Sequence, residues 1–279
     1  MITMAKKDAT NRKFALITGA GGLLGEEHAI SLLEINKNII LTDINLKKIQ
    51  ILKKKLKKKF KFNQIYSIKM DVTNESSIAS VWKFFNKKKI IIDILINNAA
   101  IDPKFKNKTI NGKNTRLEFF SVKNWQKELA VGLTGAILCS KIFGIELIKK
   151  KAKGTILNIA SDLSVISPNQ NIYKISKIKK SLQPVKPVSY SIIKHGIVGL
   201  TKYISTYWSS ENIRCNALSP GPVLSLQSKS LVKNLKKLIP MGRLANKDEY
   251  KSAIKFLCTD DSSYMTGQNL VIDGGFIRV

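Results

Sequence analysis

The sequence predicts an α/β fold in which a doubly wound parallel sheet carries helices on both faces, within one domain at residues 11–279. Three observations predict it. Short apolar runs alternate along the chain with segments whose apolar residues fall at helical spacing. The run at 90–96 is apolar apart from one Asp, as expected of a strand buried on both faces. The first run ends in a glycine-rich turn that leads into a helix pattern, and ligands of such sheets bind at the carboxyl ends of the strands.

Composition favours a globular domain over a nucleic-acid or membrane protein. The chain has 279 residues, 44% of them hydrophobic, which is enough to build a core. Its net charge is +29, from 48 basic and 19 acidic residues, but lysine far outnumbers arginine and is spread along the chain. A protein that reads bases or clamps phosphates usually relies on arginine. We therefore predict no nucleic-acid partner and no membrane role. The alternative is a nucleic-acid binder whose affinity falls steeply with salt.

The few cysteines and histidines argue against a metal site. Cys139, Cys215 and Cys258 are scattered in apolar stretches without metal-ligand spacing, and the chain has two histidines. Three thiols cannot all pair, so we expect a reducing compartment and a cytoplasmic location. We see no apolar run with the length of a membrane helix. Residues 1–10 are polar, lack a signal-peptide core and are expected to be disordered.

The first strand, at 13–18, runs into the turn Gly-Ala-Gly-Gly-Leu-Leu-Gly at 19–25, and a helix pattern follows. Gly19 permits the tight turn, and Gly25 lets the helix pack closely on the strand. The glycines between them let the backbone approach a pyrophosphate at the helix N-terminus. Strand, glycine turn and helix in this order predict dinucleotide binding. The predicted cofactor contacts in the turn are Gly19, Gly21, Gly22, Leu24 and Gly25.

The second strand, at 38–42, ends at Asp43. Asp43 follows the turn at about the spacing at which an acidic residue accepts a hydrogen bond from the adenosine ribose. Because a carboxylate there repels a 2′-phosphate, Asp43 favours NAD over NADP. The alternative is that Asp43 caps the next helix, whose lysine run at 53–59 forms a solvated outer face. Lys47 and Lys48 lie close behind in the sequence.

The alternation of strands and helices continues along the rest of the chain. We predict strands at 64–70, 90–96, 154–160, 213–218 and 269–272, and helices at 74–85, 123–148, 188–208 and 248–258. Polar residues follow several of these strands, among them Asn97 after the fourth and Ser161 after the fifth. The stretch 101–122 is polar and irregular, and a loop of this length is usually functional or mobile.

The helix at 188–208 carries a candidate proton-transfer pair. Its apolar residues recur at helical spacing, which places Tyr190 and Lys194 one turn apart on the same face. A free phenol has a pKa of about 10, and a nearby ammonium lowers the pKa of a phenol. The pair can therefore act as a general acid/base. By itself the pattern is weak in a lysine-rich chain, where an interfacial tyrosine beside a solvated lysine is common.

Taken together, the motifs resemble the classical short-chain dehydrogenase/reductase family, and they run in family order across nearly the whole chain. They are TGAGGLLG at 18–25, NNAA at 97–100, NIAS at 158–161, YSIIK at 190–194, IRCNALSPGPV at 213–223 and YMTGQNLVIDGG at 264–275. The resemblance implies a Rossmann-type domain and NAD(P)-dependent interconversion of a secondary alcohol and a ketone. It also implies a homodimer or homotetramer, assembled through the two long helices and the last strand.

By that resemblance the catalytic residues are Ser161, Tyr190 and Lys194. Tyr190 is the general acid/base, Lys194 lowers its pKa and holds the nicotinamide ribose, and Ser161 orients the substrate oxygen. The resemblance also implies further cofactor contacts after the strands. These are Asp71 and Val72 at the adenine, Asn97 and Ala99 after the fourth strand, Pro220 and Gly221 near the nicotinamide, Val223, and Ser225, which replaces a family Thr at the carboxamide. No metal is implied.

Four features depart from the family pattern. Leu23 replaces the middle glycine of the turn, so the remaining glycines match the spacing of the family's extended branch. Ala100 replaces a Gly. Gly132 replaces the active-site Asn, although it retains the main-chain carbonyl that relays through water to the lysine in the family. An insertion at about 164–187 separates the catalytic Ser from the Tyr.

The insertion is basic, which suits an anionic substrate such as a sugar phosphate or nucleotide-sugar. It contains Tyr173, Lys174, Lys177, Lys179, Lys180 and Lys186. The alternative is a solvated loop that reflects the overall lysine bias. The segments LTGAILCSK, ASDLSVISP and KPVSYSIIKHG resemble a subgroup from bacterial surface-glycan and flagellin-modification pathways.

We therefore predict an NAD-dependent oxidoreductase, with NADP disfavoured, acting on a small molecule that is sugar-like and phosphorylated or nucleotide-linked. Two alternatives stay open. The first is a dehydrogenase of a simple polyol, a sugar acid or a 3-hydroxyacyl compound. The second is an NAD-binding protein without turnover, which the loss of the family Asn at Gly132 favours.

Overall fold

The computed structural model describes residues 12–101, 115–176 and 178–277. Seven strands form one parallel sheet in the order β3-β2-β1-β4-β5-β6-β7. The strands are β1 (Arg12–Ile17), β2 (Asn38–Asp43), β3 (Ile65–Lys69), β4 (Ile90–Asn97), β5 (Gly154–Ile159), β6 (Ile213–Pro220) and β7 (Asn269–Ile272). The predicted doubly wound parallel sheet is confirmed. The predicted disordered segment 1–10, most of the predicted irregular stretch 101–122 and Lys177 lie outside the described residues.

Helices cover both faces of the sheet because strand side chains point alternately to either side. Ala15 and Ile17 join one buried core with the helices at 25–34, 46–59 and 251–258, whereas Phe14 and Leu16 join a second core with the helices at 75–87 and 135–149. Every residue of β4 is buried, which explains its continuous apolar run. The helices are α1 (Gly25–Glu34), α2 (Leu46–Lys59), α3 (Glu75–Lys87), α4 (Val122–Leu129), α5 (Gly135–Lys149), α6 (Val188–Tyr207), α7 (Lys229–Leu238) and α8 (Lys251–Cys258).

The predicted helix at 123–148 consists of α4, one turn of π-helix at Ala130–Thr134, and α5. By length and composition alone, Val122–Lys149 could cross a membrane, contrary to the expectation from the sequence. One such helix is weak support for a membrane role, because core helices of soluble proteins pass the same test. Cys139 and Phe143 on α5 are completely buried in the core beneath the sheet.

Two features near the end of the chain differ from the prediction. The helix α7, between β6 and α8, was not predicted, although Ser228 caps it by accepting from Leu231 N at 3.2 Å. A serine followed by apolar residues at helical spacing was the available signal. The predicted helix at 248–258 divides into a 3₁₀ turn at Lys247–Tyr250 and the helix α8.

The strand order reverses between β1 and β4, which pair side by side. The connections that leave their carboxyl ends therefore run in opposite directions and open a crevice, where such sheets bind ligands. The glycine turn after β1 and the residues after β4, β5 and β6 all lie along this edge. The topology thus gathers the predicted site residues from segments far apart in the sequence.

Candidate active site

The glycine turn lies directly against the end of β4. Gly19 has a φ of +59°, and a Cβ at this position would lie 2.7 Å from Ala99 Cα. A side chain at Gly25 would collide with the main chain of Ala20, so α1 starts close against the turn. Main-chain atoms without side chains therefore lie at the N-terminus of α1, an arrangement that binds pyrophosphate.

The middle of the turn closes on itself. Gly22 N donates to Gly19 O at 2.9 Å, and buried Leu24 is the N-cap residue of α1. A Cβ at Gly21 would lie 3.0 Å from Asp43 Oδ2, which is closer than ordinary van der Waals contact. Leu23, which replaces a family glycine, is 46% exposed, so its side chain does not fill the turn.

Asp43 ends β2 and points toward the turn. One carboxylate oxygen accepts from Gly21 N at 3.0 Å, and the other accepts from Asn45 N at 2.8 Å. The N-cap residue of α2 is Asn45, whose side chain accepts from Lys48 N at 3.2 Å. The alternative that Asp43 caps this helix is therefore wrong. The carboxylate is held where an adenosine ribose would meet the glycine turn.

A hydrogen-bond cluster that the sequence analysis missed joins the turn to the end of β4. Asn98 Nδ2 donates to the carbonyls of Thr18 and Gly19 at 3.0 and 2.9 Å. Thr18 Oγ1 accepts from the main-chain N–H groups of Asn98 and Ala99, both at 3.0 Å. Because both amide hydrogens of Asn98 are used, its Oδ1 accepts from His28 Nε2 at 3.2 Å. A lone histidine on an apolar helix face gives no signal of this role.

His28 is consequently a neutral, completely buried imidazole with its proton on Nε2. Burial lowers the pKa of His28 to about 4, against the opposing effect of the hydrogen bond to Asn98. Its Nδ1 has no hydrogen-bond partner within the described residues. Protonation would therefore place a charge beneath the glycine turn without an acceptor for the added N–H.

Four buried polar side chains connect the ends of β4 and β5 to the helices behind them. Asn97 Nδ2 donates to Ser140 Oγ at 3.0 Å and to Asn158 Oδ1 at 2.8 Å. Asn158 Nδ2 in turn donates to Thr201 Oγ1 at 2.9 Å. This network fixes the end of β5, which precedes Ser161. Only Asn97 was predicted from the sequence, because the hydrogen-bond partners of the other three lie far away along the chain.

The three predicted catalytic residues come from β5 and α6. Ser161 follows β5, and Tyr190 and Lys194 lie one turn apart on α6. Lys194 is 7% exposed, and its Nζ donates to Ile159 O at 2.8 Å and lies 5.8 Å from the centroid of the Tyr190 ring. A second ammonium, Lys186 Nζ, lies 3.6 Å from the same centroid. The tyrosine ring thus has two cations beside it, of which the sequence identified one as catalytic.

The hydroxyl of Ser161 is shared with a buried carboxyl group. Ser161 Oγ donates to Asp162 Oδ1 at 2.5 Å and accepts from Leu163 N at 3.3 Å. Both Ser161 and Asp162 are 6% exposed. Burial raises the pKa of Asp162, while the Ser161 hydrogen bond and the charge of Lys186 act in the opposite direction. The short turn after Ser161 packs on α6, which brings the serine to the helix of Tyr190.

Gly132, which replaces the family Asn, lies buried in the π-helical turn between α4 and α5. A Cβ at Gly132 would lie 2.8 Å from Ile193 Cγ2 on α6. A larger residue would require Ile193 to shift, and Ile193 is the immediate neighbour of Lys194. The close approach of the two helices explains why this chain has glycine here.

The two predicted cofactor residues after β3, Asp71 and Val72, are held in place by nearby residues. Asp71 Oδ1 accepts from Thr73 N at 2.9 Å and from Thr73 Oγ1 at 2.7 Å. Val72 is 8% exposed and lies against Gly135, where a Cβ would be 2.8 Å from Val72 Cγ2. Both residues therefore lie between β3 and the start of α5.

The residues predicted after β6 divide into buried and exposed groups. Pro220 ends β6, and a Cβ at Gly221 would lie 2.6 Å from Asp273 Cα, so the chain passes too close to β7 for a side chain. Val223 is 9% exposed. Ser225 is exposed, and its main-chain N–H donates to Gln227 Oε1 at 2.7 Å. It lies in the segment that leads to α7.

The site fits a nicotinamide dinucleotide. The glycine turn is a cradle that a Cβ at Gly19 or Gly25 would obstruct, α1 begins at it, and Asp43 is fixed at its ribose side. Within residues 12–101, 115–176 and 178–277, no group of three His, Cys, Asp or Glu is placed to hold a metal ion. A phenol, an ammonium and a hydroxyl beside such a cradle can transfer a proton next to a hydride acceptor.

Comparisons with known proteins agree with this geometry. A family model described as short chain dehydrogenase matches residues 13–183, and one described as Enoyl-(Acyl carrier protein) reductase matches residues 179–277. Post-translational flagellin modification protein A of Campylobacter coli is 30% identical over 267 residues, which are 95% of this chain and 98% of that protein. An NAD-dependent glycerol dehydrogenase of Listeria innocua is 29% identical over 269 residues, 95% and 93% of the two chains.

A solved structure extends the likeness to three dimensions. The crystal structure of a gluconate 5-dehydrogenase from Burkholderia cenocepacia J2315, in complex with NADP and tartrate, superposes with a TM-score of 0.80 at 25% identity, covering 95% of each chain. The resemblance read from the motifs is thus confirmed, including its likeness to a flagellin-modification protein. The chain belongs to the classical short-chain dehydrogenase/reductase family, whose dehydrogenases act on alcohol CH–OH groups.

Proposed function

We propose that the protein uses NAD to interconvert a secondary alcohol and a ketone on a sugar-like, anionic small molecule. The observation that carries the proposal is the convergence of Ser161, Tyr190 and Lys194 beside a dinucleotide cradle. Lys186, from the basic insertion, adds a further positive charge at the same tyrosine. A cation-lined site favours anionic over neutral ligands.

Proton transfer in this proposal belongs to Tyr190. In the oxidation direction its phenolate oxygen accepts the proton of the substrate hydroxyl. Lys194, anchored on Ile159 O, supplies a fixed positive charge that stabilises the phenolate. A bound nicotinamide would supply the hydride acceptor that conversion of the carbinol to the ketone requires.

Ser161 orients the reacting oxygen. The single proton of a substrate hydroxyl passes to Tyr190, so Ser161 contributes by donating to the substrate oxygen. Ser161 Oγ donates to Asp162 at 2.5 Å in this structure, so its hydroxyl must turn away from Asp162 to orient either the alcohol or the ketone.

The substrate class rests on charge and on the relatives. One relative modifies flagellin and one structural neighbour is a gluconate 5-dehydrogenase that holds tartrate, a hydroxy acid. The glycerol dehydrogenase favours a competing proposal, in which the substrate is a simple neutral polyol. Phosphorylated and nucleotide-linked sugars share the anionic character and stay within the first proposal.

The direct test is nicotinamide absorbance on purified protein, with NAD⁺ or NADP⁺ offered alongside sugar acids, sugar phosphates, nucleotide-sugars and neutral polyols. We expect NAD⁺ reduction with an acidic or phosphorylated sugar. Faster turnover of neutral polyols than of every anionic compound would favour the competing proposal. NADH binding without turnover of any compound would instead support a protein that binds its cofactor without catalysis.

Asp43 is proposed to set the preference for NAD. Its carboxylate faces Gly21 N, and Lys48 lies beside the turn, since a Cβ at Gly21 would be 3.1 Å from Lys48 Cβ. We expect Asp43→Ser to weaken NAD binding by about tenfold or more, through loss of a charged hydrogen-bond acceptor, and to strengthen NADP binding. Titration of both cofactors by protein fluorescence measures the change.

A matched control removes one negative charge from the surface. Asp248 is exposed, so Asp248→Ser changes the net charge equally and should leave both affinities unchanged. If Asp43→Ser weakened both cofactors equally, the carboxylate would support the turn without choosing between them. The predicted dimer or tetramer and the cytoplasmic location remain predictions, the latter supported by three buried free thiols.

A further inference from the structure

The insertion at 164–187 is folded onto the protein and is not a free loop at the described residues. Ile172 is 8% exposed and packs with Leu235 and Ile239 of the α7 region. Asn234 Nδ2 of α7 donates to Ile172 O at 2.9 Å. The insertion therefore bridges from the end of β5 to α7 before it returns to α6.

Side-chain amides fix the part of the insertion that leads to α6. Gln170 Oε1 accepts from Lys186 N at 2.8 Å, and Gln170 Nε2 donates to Lys186 O at 3.3 Å. The side chain of Gln183 pairs in the same way with Ile175, at 2.8 and 2.9 Å. The backbone of Lys186 is thus clamped on both its polar groups, one residue before Pro187 begins the approach to α6.

With its backbone fixed in this way, Lys186 directs its side chain toward Tyr190. Lys186 Nζ lies 3.6 Å from the centroid of the Tyr190 ring, closer than Lys194 Nζ at 5.8 Å. The charge of Lys186 also acts on the buried carboxyl group of Asp162, the hydrogen-bond partner of Ser161. The ammonium therefore lies among the groups that would surround the reacting carbon.

Local charges favour an anion in this space. Two ammonium groups, Lys186 and Lys194, lie beside the tyrosine. The charge of Lys186 acts on Asp162, on which the carboxyl group of Asp273 also acts. A substrate carboxylate or phosphate can pair with an ammonium here by charge-assisted hydrogen bonds, which are stronger at low dielectric than in water.

We propose that Lys186 is a specificity-determining residue that binds an anionic group of the substrate, carried within a few bonds of the reacting carbinol. The inference rests on the proposed function and adds which residue recognises the acid and where the acid lies. Because Lys186 Nζ lies 3.6 Å from the centroid of the ring that carries the reacting phenol oxygen, the anionic group must be near the carbinol and not at the distal end of a long substrate. A hydroxy acid of the sugar-acid type meets this condition, and so does a sugar with phosphate on an adjacent carbon.

The test compares Lys186→Met with the wild-type full chain on matched acidic and neutral substrates. Oxidation of gluconate and of a sugar phosphate is measured against oxidation of sorbitol, with NAD⁺ saturating. We expect KM for the preferred anion to rise by about tenfold or more, while KM for the neutral polyol stays within about twofold. Lys186→Arg should retain most of the preference, because the guanidinium also pairs with anions. Comparing gluconate with the sugar phosphate shows whether Lys186 prefers a carboxylate or a phosphate.

Lys179 offers the matched control. It lies in the same insertion but is exposed, so Lys179→Met removes the same charge without touching Tyr190. We expect it to leave every KM unchanged. An equal rise in KM for acid and polyol in Lys186→Met would assign Lys186 a merely structural role and overturn the inference. So would an unchanged preference.

A binding arm separates this inference from the proposed function. Calorimetric titration of tartrate into the NADH-loaded protein needs no turnover. We expect binding to the wild type that weakens by about tenfold in Lys186→Met and not in Lys179→Met. Oxidation of neutral alcohols alone, with no tartrate binding, would leave the oxidoreductase standing and overturn the role of Lys186. Tartrate binding that depends on Lys186, without turnover of any alcohol, would support the role of Lys186 and contradict the proposed oxidoreductase function.

Discussion

Replacement of Tyr190 by Phe is expected to lower kcat/KM for alcohol oxidation by about 10²–10⁴-fold, the range for a positioned general acid/base. The substitution removes the phenol oxygen and keeps the ring, so the contacts of Lys186 and Lys194 with the ring face are retained. NADH binding should change little, because the glycine turn and Asp43 are untouched. Steady-state kinetics, together with fluorescence titration of NADH, separates the loss of chemistry from a loss of binding.

Tyr203→Phe is the matched control on the same helix. Tyr203 is 63% exposed and its ring stacks on Tyr207, remote in role from the proton transfer. It should keep wild-type kinetics. If Tyr190→Phe retained more than about a tenth of the activity, another group would have to accept the substrate proton, and Asp162 would be the first candidate.

On acidification, the wild-type protein is expected to lose up to about 3 kcal/mol of its free energy of unfolding through His28, and His28→Gln should abolish this loss. The pKa of His28 is lowered in the folded protein from 6.5 to about 4. Between these values the unfolded chain binds a proton that the folded chain does not. The contribution of neutral His28 is therefore complete above pH 6.5 and is lost as the pH falls toward 4. A Gln amide does not titrate and can still donate to Asn98.

Urea unfolding of the wild type and of His28→Gln, at neutral pH and at about pH 4.5, measures the change in the free energy of unfolding. Asp93 and Asp162, whose pKa values are raised by burial, contribute an opposite slope that is common to both proteins and cancels. His195→Gln is the matched control, because it makes the same replacement at an exposed position on α6. An unaltered pH slope in His28→Gln would show that burial does not hold this imidazole neutral.

Much of the active site was predictable because each part is encoded locally. The glycine turn needs residues without a Cβ at fixed places, and the close approach of Gly19 to Ala99 confirms the reason. Tyr190 and Lys194 share a face because one helical turn separates them. The insertion was visible as an interruption between two motifs, but its lysines looked alike in the sequence.

Residues that act through distant partners were not predictable. Asn158 gave no signal of its hydrogen bonds to Asn97 and Thr201, since these join two strands and a helix. His28 looked like any histidine on an apolar helix face until Asn98 met it beneath the turn. The helix α7 was missed because α7 carries many lysines, and burial of Leu235 against the insertion completes its packing.

The sequence by itself predicted the alternation of strands and helices apart from α7, the glycine turn, and the placement of Tyr190 and Lys194 one turn apart, because periodicity and short motifs depend on neighbours along the chain. Only the tertiary structure decided that Lys186 of the insertion lies beside Tyr190, which carboxyl group accepts from Ser161 and why Gly132 is small. These outcomes follow from distances across the fold, where a few ångströms separate a solvated charge from one that lies beside Tyr190.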